Sequence, residues 1–350
     1  MGLDWDACGG SPLKMADFTR RDFLKLAGVG LLALLLPEGA ALAAETAFRL
    51  GRVAEASLPV RSEPSRRARQ IGALRLDTLI SLQQPVESDE EAPANPYNRL
   101  WYAVQGGYVY SGGIQPVEDR PNTLPAGGVP PGGQLAEVTV PFAEARRQPR
   151  EEAPSRYRLY YASTHWVLDV HRDSARRAWY RLYEDKWGGE YYVLAEALRL
   201  IPPAELAPLA ADVPAECKRI EVDLGHQLVT AYQDERPVLM ARASSGWRYR
   251  NGSYRTPVGR FTTYYKRPSR HMADTGYDLP GVPWVCYIND NGVSFHGTYW
   301  HNDYGTPRSH GCINLPPQAA RWLYLWTEPV VPPERQRLRV ESGTMVEIYL

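Results

Sequence analysis

The amino-acid sequence predicts a mostly β protein. Short runs of β-branched and aromatic residues recur along the chain and are separated by turn residues. The 22 tyrosines and 10 tryptophans favour the pleated, half-buried surfaces of β-sheets. A helical period occurs near the C-terminus, where the apolar residues at i, i+3, i+4 and i+7 are Ala319, Trp322, Leu323 and Trp326. We therefore expect several small β units and one helix.

The N-terminus has the pattern of an export signal. Arg20 and Arg21 precede an apolar run at residues 26–36, and small residues that suit a signal peptidase end at Ala43. The run of about 11 residues is too short for a membrane anchor, which needs about 20. We predict a twin-arginine signal peptide at residues 1–43 and an extracytoplasmic mature protein. Met15 is an alternative start site, and a short buried helix with an incidental arginine pair is the alternative interpretation.

Two segments ahead of the C-terminal third contain the same motif. A Trp-Tyr pair, an aliphatic residue two positions on and a later Tyr-Val pair occur in residues 101–109 and again in residues 179–193. We predict small β barrels at residues 47–117 and 157–205. Both resemble bacterial SH3-like domains, the second more weakly. That resemblance implies binding to cell-wall peptides or glycans, and spacers packed against the rest of the chain are the alternative.

Residues 118–156 predict a linker between these units. Proline and glycine dominate residues 118–133, and residues 148–155 are charged and contain proline, so neither stretch supplies a core. The remaining C-terminal region, residues 216–350, reads as a further β domain. It begins with a hairpin around Gly225, and later strands are predicted at residues 237–243, 260–266, 284–288 and 344–349.

Cys312 stands in a segment that favours a reactive thiol. A thiol is a strong nucleophile only as the thiolate, so it needs a base and a polar turn beside it. His296 follows a strand-like run and can face the thiol across a loop. Gly311 allows a tight turn whose amide N–H groups can converge on an oxyanion. Pro316 and Pro317 suit the first turn of the predicted helix, and we expect the positive end of that helix to lower the pKa of the thiol.

This segment resembles the signature of the L,D-transpeptidase catalytic domain, also called the YkuD family. The signature is a His-Gly pair, a loop and then Ser-His-Gly-Cys with an Asn two residues on. The matching residues are His296, Gly297, Ser309, His310, Gly311, Cys312 and Asn314. A second family element, Thr-Pro-x-Gly-x-Phe, stands upstream at residues 256–261. The resemblance covers about the last third of the chain and implies a β-sandwich-like assembly of sheets with the catalytic loop at one edge.

The resemblance also implies a role for each residue. Cys312 is expected to be the nucleophile and His296 its general base, with the carbonyl of Gly297 orienting the imidazole. The oxyanion hole is expected from the backbone amides of His310, Gly311 and Cys312. Residues expected to shape the turn or to contact substrate are Arg308, Ser309, His310 and Asn314. Residues expected to line the substrate groove, with core aromatics as the alternative, are Tyr299, Trp300 and His301.

The function implied by the resemblance is peptidoglycan cross-linking. Cys312 would attack the carbonyl of the third, diamino-acid residue of a tetrapeptide stem and release D-alanine. The side-chain amine of another stem would then take the thioester and form a 3→3 cross-link. The expected partners are therefore the tetrapeptide donor and the diamino-acid acceptor of a cell-wall-associated enzyme. With water as acceptor, the same site would be an L,D-carboxypeptidase, and the resemblance also implies acylation by carbapenems.

Two other classes of function stay open, and no cofactor is expected. The first is a catalytically idle wall-binding protein that acts through its SH3-like units. The second is a zinc hydrolase, because imidazole and thiolate are the usual zinc ligands. The four candidate ligands are His296, His301, His310 and Cys312, although their spacing is not a zinc-finger pattern.

The charge and the cysteine content of the chain narrow its possible partners and disulfide pattern. Lysine plus arginine and aspartate plus glutamate each number 40, so the formal net charge is zero and no nucleic-acid partner is indicated. Removal of the leader, which contains Cys8, leaves Cys217, Cys286 and Cys312, too few for a dense disulfide framework. A Cys217–Cys286 pair is conceivable, but we expect both thiols to be reduced and buried.

Overall fold

The computed structural model describes residues 33–34, 50–249 and 252–350. Strands dominate these ranges, as the sequence predicts, and the α-helix in them is α1 (Pro317–Trp326). The predicted signal peptide lies outside the described residues except for β1 (Ala33–Leu34), which pairs antiparallel with Met240 and Leu239. None of the helices in the described ranges is long and apolar enough to cross a membrane.

The first β unit contains eight strands in two sheets. One sheet has the order β5-β2-β9 and the other the order β4-β3-β8-β7-β6. Buried Val53, Leu58, Val60, Val109 and Ile114 form the core between them. The strands are β2 (Leu50–Val53), β3 (Ser57–Arg61), β4 (Gln70–Arg75), β5 (Leu79–Ser81), β6 (Val86–Glu87), β7 (Leu100–Val104), β8 (Gly107–Tyr110) and β9 (Ile114–Val117).

The second β unit is one sheet of seven strands with the order β12-β11-β15-β14-β13-β10-β16. It begins before residue 157, so the prediction that all of residues 118–156 form a linker is wrong. Residues 134–146 contain two strands because Leu135, Ala136, Val138 and Ala145 supply buried apolar side chains to the sheet. The strands are β10 (Gln134–Val138), β11 (Phe142–Arg146), β12 (Ser155–Tyr160), β13 (Thr164–Arg172), β14 (Ala178–Glu184), β15 (Gly189–Leu194) and β16 (Leu198–Leu200).

The two β units share one pattern of strand pairing, as the repeated Trp-Tyr motif suggests. In the first unit β2 pairs with β5 and β9, β3 with β4 and β8, and β7 with β6 and β8. In the second unit β10 pairs with β13 and β16, β11 with β12 and β15, and β14 with β13 and β15. A short 3-10 turn precedes the last strand of each unit. The sheets of the described residues do not close into barrels, so the SH3-like assignment stays a prediction.

The third region builds two larger sheets around a common core. A six-stranded sheet has the order β1-β19-β18-β17-β28-β22, and a five-stranded sheet has the order β26-β25-β24-β23-β27. The remaining pair, β20 and β21, forms a separate hairpin. The strands are β17 (Lys218–Asp223), β18 (Leu228–Gln233), β19 (Arg236–Arg242), β20 (Arg248–Tyr249), β21 (Gly252–Ser253), β22 (Gly259–Thr262), β23 (Tyr265–Asp274), β24 (Tyr277–Tyr287), β25 (Ser294–Gly297), β26 (Ile313–Leu315), β27 (Leu338–Arg339) and β28 (Met345–Tyr349).

The predicted hairpin around Gly225 is the β17–β18 pair, and the strand predicted at residues 260–266 is two strands. The break falls at Thr263, whose backbone amide and side-chain hydroxyl bond the carbonyls of Thr344 and Glu328. Because Thr263 is held there, the chain leaves the six-stranded sheet after β22 and enters the five-stranded sheet at β23.

Helix α1 packs into the core that the two sheets share. Its buried residues are Ala319, Ala320, Leu323, Tyr324 and Trp326, which include three of the four residues of the predicted apolar stripe. The buried ammonium group of Lys266 donates to the carbonyls of Tyr324 and Thr327 at the C-terminal end of the helix, and burial lowers the pKa of Lys266 to about 8. These contacts hold the helix behind the two strands that carry the candidate site.

The prediction that Cys217 and Cys286 are both reduced and buried holds for only one of them. Cys286 is a free, buried thiol as expected. Cys217, however, is partly exposed and disulfide-bonded, so it is not the reduced, buried thiol that the sequence suggested. Because Cys286 is free, the conceivable Cys217–Cys286 pair is not formed.

Candidate active site

Strand register brings Cys312 to His296. Parallel strands β25 and β26 pair Phe295 with Ile313 and His296 with Asn314, so Cys312 continues the line opposite Ser294. Because side chains alternate along a strand, Ser294 and His296 lie on the same face, which is the face of the thiol. Strand β26 is the edge strand of its sheet, which leaves Cys312 partly exposed while His296 is buried.

The His296 imidazole is held in one tautomer. Its Nδ1 lies 3.0 Å from the carbonyl oxygen of Gly297, and a carbonyl only accepts, so the ring proton is on Nδ1. The other ring nitrogen, Nε2, is then the basic atom that can take the thiol proton. The contact between His296 and the Gly297 carbonyl is the one expected for an oriented base, and the nucleophile and base roles of Cys312 and His296 stay predictions.

The surroundings of the thiol favour the thiolate. Burial raises the pKa of the Cys312 thiol, but a hydrogen bond from His296, the charge of that ring and a hydrogen bond from Ser294 together hold the pKa below its ordinary value. Ser294 Oγ lies 3.5 Å from Cys312 Sγ. Ser294 was not predicted from the sequence, although the parallel register places it directly opposite the thiol.

The helix does not lower the pKa of the Cys312 thiol as expected. Strand β26 separates Cys312 from α1, which begins only at Pro317. The effect of a helix dipole falls off within about one turn of its end. The lowered pKa of the Cys312 thiol is therefore explained by His296 and Ser294 rather than by the helix.

The turn before Cys312 is held by the hydroxyl of Thr256. Thr256 Oγ1 donates to the carbonyl of Gly311 at 2.9 Å and accepts the amide of Gly246 at 2.8 Å. Gly311 has a φ of +112°, a conformation that suits glycine. Gly246 must also be glycine, because a Cβ there would lie 1.9 Å from the carbonyl oxygen of Tyr254. This contact gives a physical role to the first residue of the Thr-Pro-x-Gly-x-Phe element.

A second chain segment, residues 243–247, runs alongside the nucleophile. Ser244 and Asn314 exchange two backbone hydrogen bonds of 2.9 and 3.0 Å. The carbonyl of Ser245 accepts the amides of Arg308 and Ser309 at 2.8 and 2.9 Å. The turn that carries Cys312 is therefore fixed on one side by this segment and on the other by β25.

The predicted oxyanion amides are not equivalent. The amide of Gly311 donates to Ser309 Oγ at 3.1 Å, and Ser309 Oγ donates in turn to the carbonyl of Cys312. Ser309 thus shapes the turn, as one of its predicted roles requires. Because the Gly311 amide is engaged within the turn, an oxyanion hole in this conformation would rely on the amides of His310 and Cys312.

His310 belongs to an aromatic cluster beside the thiol. Its exposed ring stacks on Tyr249 with centroids 4.7 Å apart, and Tyr254 and Tyr277 lie at 4.6 and 5.4 Å. Burial and the nearby charge of Cys312 raise the pKa of Tyr277. The three tyrosines were not predicted as site residues, because they come from separate strands and loops that no local motif connects.

The residues predicted to line the groove differ in their surroundings. Tyr299 is buried, stacks on Tyr160 and donates its hydroxyl to the carbonyl of Pro280 at 2.8 Å, so it is a core aromatic rather than a groove residue. His301 is buried as well. Trp300 is partly exposed with its ring 5.8 Å from that of His296, so it is the member of the three that lies beside the base.

Asn314 and His301 form a buried polar pair. His301 Nδ1 accepts the amide of Asp303 at 3.3 Å, and Nε2 lies 3.0 Å from the side-chain amide of Asn314. Burial, followed by the charges of Arg308 and His296, holds the pKa of His301 well below its ordinary value, so the ring is neutral. With Nδ1 accepting, the proton is on Nε2 and requires an acceptor, but the atom that faces Nε2 is Asn314 Nδ2. Exchanging the nitrogen and oxygen of the Asn314 amide, which have nearly the same shape, makes the otherwise unpaired Oδ1 the acceptor. Asn314 therefore supports the site from within rather than contacting substrate.

The Arg308 side chain is paired with two carboxylates of the chain. Its guanidinium lies 3.0 Å from Asp303 and 3.7 Å from Glu55 of the first β unit.

The described residues contain no group of three or more His, Cys, Asp or Glu side chains that could hold a metal ion. Three of the four ligands considered for zinc have other contacts, which are His296 with Gly297, His301 with Asp303 and Asn314, and His310 with the aromatic cluster.

Both β units contact the surroundings of the site. The second unit reaches the β23–β24 hairpin that carries Tyr277: Asp185 pairs with Arg267 and Arg270, and Lys186 lies 2.9 Å from Asp278. The first unit reaches the loop between base and nucleophile through Arg52. Arg52 is buried, binds Asp77 at 2.8 Å and donates to the carbonyl of Tyr299.

Residues 218–348 match the family of the L,D-transpeptidase catalytic domain, YkuD. This range contains the cysteine, the histidine and the Thr256 element described above. None of the curated proteins matches the chain. The family match thus covers the third region and leaves the two β units unassigned.

Several solved L,D-transpeptidase structures are similar to parts of this chain. A mutant of the Enterococcus faecium enzyme is 28% identical, with 38% of this chain and 49% of that chain covered and a TM-score of 0.30. An enzyme from Xylanimonas cellulosilytica is 29% identical, with 38% and 60% covered and a TM-score of 0.28. One from Mycobacterium tuberculosis is 18% identical, with 64% and 97% covered and a TM-score of 0.31. The chain spans about half the length of the first of these structures.

The lowered pKa of the Cys312 thiol predicts a pH profile. Alkylation by iodoacetamide should rise with pH through a midpoint below the ordinary cysteine value of about 8.5, because only the thiolate reacts. In His296→Ala the burial of the thiol is no longer offset by the imidazole, so the midpoint should move upward. Mass spectrometry of the alkylated protein from pH 5 to pH 10 measures both; equal midpoints in the two proteins would contradict the assignment.

The Thr256 hydroxyl predicts a second outcome. Thr256→Val keeps the side-chain shape but leaves the buried Gly246 amide without its acceptor, which should cost about 1–3 kcal/mol of unfolding free energy. Acylation of Cys312 should also slow, because the Gly311 turn loses its anchor. Thr256→Ser retains the hydroxyl and should behave nearly as the wild type. Urea unfolding and acylation rates measure the effects, and wild-type values for the valine variant would show that the contact is unimportant.

Proposed function

We propose that this protein is an exported peptidoglycan L,D-transpeptidase that forms 3→3 cross-links. The observation that carries the proposal is the placement of Cys312 beside His296, which lowers the pKa of the thiol and is itself oriented by the carbonyl of Gly297. These residues lie within the range that matches the L,D-transpeptidase catalytic domain. A nucleophile, a base and an orienting acceptor in this order are the requirements for acyl transfer by a thiol.

The proposed first half-reaction forms a thioester. His296 Nε2 takes the proton of the Cys312 thiol, and the thiolate attacks the carbonyl of the third, diamino-acid residue of a tetrapeptide stem. The backbone amides of the Cys312 turn stabilise the oxyanion. The tetrahedral intermediate collapses with cleavage of the peptide bond, and the His296 imidazolium gives its proton to the leaving amine of D-alanine.

The proposed second half-reaction transfers the acyl group. The side-chain amine of a diamino acid in a second stem attacks the thioester, and its proton passes through His296 to the departing Cys312 thiolate. A new amide joins the third residues of two stems and the enzyme is regenerated. Attack by water instead gives a tripeptide, so an L,D-carboxypeptidase is the second candidate. Acylation by carbapenems is part of the same proposal, because it uses the same nucleophile.

The twin-arginine pattern supports a location outside the cytoplasm, where these substrates lie. Wall binding by the two β units is a further proposal that rests on their resemblance to SH3-like domains. Both units contact the third region, the first through Arg52 and the second through Asp185. These contacts favour a structural role for the surfaces that carry them. A catalytically idle wall-binding protein is a third candidate, but the lowered thiol pKa disfavours it because an idle cysteine needs no base.

Product analysis separates the candidate activities. The mature protein incubated with a disaccharide tetrapeptide should release D-alanine and yield a dimer with a 3→3 linkage, as identified by liquid chromatography and tandem mass spectrometry. A carboxypeptidase would yield only disaccharide tripeptide. Cys312→Ala should give neither product, and product formation by that variant would contradict the assignment of the nucleophile.

The export proposal has its own test. Replacement of Arg20 and Arg21 by lysine should retain the protein in the cytoplasm and prevent cleavage after Ala43, since the arginine pair is the feature read by the export pathway. The same replacement at Arg66 and Arg67, a pair in the first β unit, is the matched control. Cell fractionation with immunoblotting measures both, and normal export of the Arg20 and Arg21 variant would rule out this route.

A further inference from the structure

The loop between base and nucleophile, residues 298–308, is bound along its length by the first β unit. Arg52 donates to the carbonyl of Tyr299, and the amide of Asn302 donates to the carbonyl of Gly112 at 2.9 Å. Asn95 Nδ2 donates to the carbonyl of Tyr304 at 2.8 Å. The loop contains no helix or strand, so these contacts supply hydrogen bonds that regular structure would otherwise provide.

Asp303 is the centre of these contacts. Its carboxylate accepts the hydroxyl of Tyr110 at 2.6 Å and Asn95 Nδ2 at 2.8 Å, both from the first β unit. The same carboxylate binds Arg308 at 3.0 Å, within the loop itself. Burial and the adjacent Asp303 carboxylate raise the pKa of Tyr110, so the hydroxyl keeps its proton and acts as donor. Arg66 lies further away, at 3.9 Å.

The backbone of Asp303 leads to the nucleophile by two routes. Its amide donates to His301, whose other ring nitrogen pairs with Asn314, two residues after Cys312. Its carbonyl accepts the hydroxyl of Ser244 at 3.0 Å. Ser244 begins the segment that pairs with Asn314 and continues to Gly246, where Thr256 connects it to the Gly311 turn. Both routes end at the turn that would hold the oxyanion.

We infer that Asp303 is a positioning residue that the first β unit holds through Tyr110 and Asn95, and that it fixes the oxyanion turn of Cys312. The inference rests on the proposed acyl-transfer function of that site. Through Tyr110 and Asn95 the first β unit then supports the geometry of the site rather than acting as a detachable spacer. Asp303 does not touch the thiol, so its effect is on the geometry of acylation and not on the reactivity of the thiolate.

Two reactions of Cys312 distinguish these effects in the full mature chain. Acylation by p-nitrophenyl acetate passes through an oxyanion, whereas alkylation by iodoacetamide does not. Asp303→Ala should slow acylation about tenfold or more, because misplacement of a catalytic group by a fraction of an ångström has effects of this size. Alkylation should stay within about twofold of wild type, since no oxyanion is stabilised in that step. A variant that is merely unstable would change both rates through its unfolded fraction, or neither.

Tyr110→Phe tests the contribution of the first β unit without touching the loop. It should slow acylation several-fold while alkylation stays close to wild type. The lost hydrogen bond to the buried Asp303 carboxylate also lowers the unfolding midpoint, so both rates are measured where the variant is fully folded. Tyr108→Phe, on the same strand and not a partner of Asp303, is the matched control and should change nothing. If Tyr110 acts through Asp303, Tyr110→Phe should have no further effect in the Asp303→Ala background.

The outcomes separate this inference from the proposed function. Equal acylation rates in wild type and Asp303→Ala, a parallel fall of acylation and alkylation, or additive effects of the two substitutions would each overturn the role of Asp303. Because the small ester needs no peptidoglycan specificity, a wild-type protein that reacts with the ester but not with the tetrapeptide would refute the proposed substrate alone. A wild type no faster than Cys312→Ala would show that the turn stabilises no oxyanion, which would refute the inference.

Discussion

The hydrogen bond from His296 Nδ1 to the carbonyl of Gly297 is the interaction on which the chemistry of the site depends. It fixes the proton on one ring nitrogen and leaves the other free to accept a proton, as the proposed base must. Without it a neutral imidazole has two tautomers, and only one of them can deprotonate the thiol. The acceptor is a main-chain carbonyl at the end of β25, so the orientation of the base follows from the strand itself. A buried carboxylate is not needed for this task.

The sequence predicted which residues come together at the site better than it predicted what surrounds them. Cys312, His296 and Gly297 lie in two short motifs, so residue type and spacing alone indicated the site. Ser294 could have been found by extending the parallel register of β25 and β26 by one step beyond Ile313. The tyrosines around His310 could not, because Tyr249, Tyr254 and Tyr277 meet only when distant strands fold together.

Two errors have clear physical causes. The helix was expected beside the thiol because the two prolines mark its start, but the three-residue strand β26 lies between the thiol and the prolines. Tyr299 was expected in the groove because its loop contains polar residues, yet Asp303 is buried against the first β unit and Asn302 is only partly exposed. Loop composition predicts exposure only when no other unit covers the loop, and composition does not indicate which units pack together.

The arrangement of the β units gives the site two kinds of support. The second unit contacts the β23–β24 hairpin on the side of Tyr277, and the first unit contacts the loop that joins base to nucleophile. Parallel strands need a crossover connection, and here that connection is an irregular loop instead of a helix. An irregular loop is held only by its contacts, so a site built on this crossover depends on the units around it.

The proposed reaction passes through a thioester at Cys312, and intact-protein mass spectrometry detects such an acyl-enzyme. The mature protein and its Cys312→Ala variant are each incubated with a disaccharide tetrapeptide. The reactions are quenched in acid, and the masses of the two proteins are measured. The wild-type protein should gain the mass of the donor minus D-alanine, and the variant should not. An unmodified wild-type protein together with released D-alanine, or the same adduct on Cys312→Ala, would contradict a thioester at Cys312.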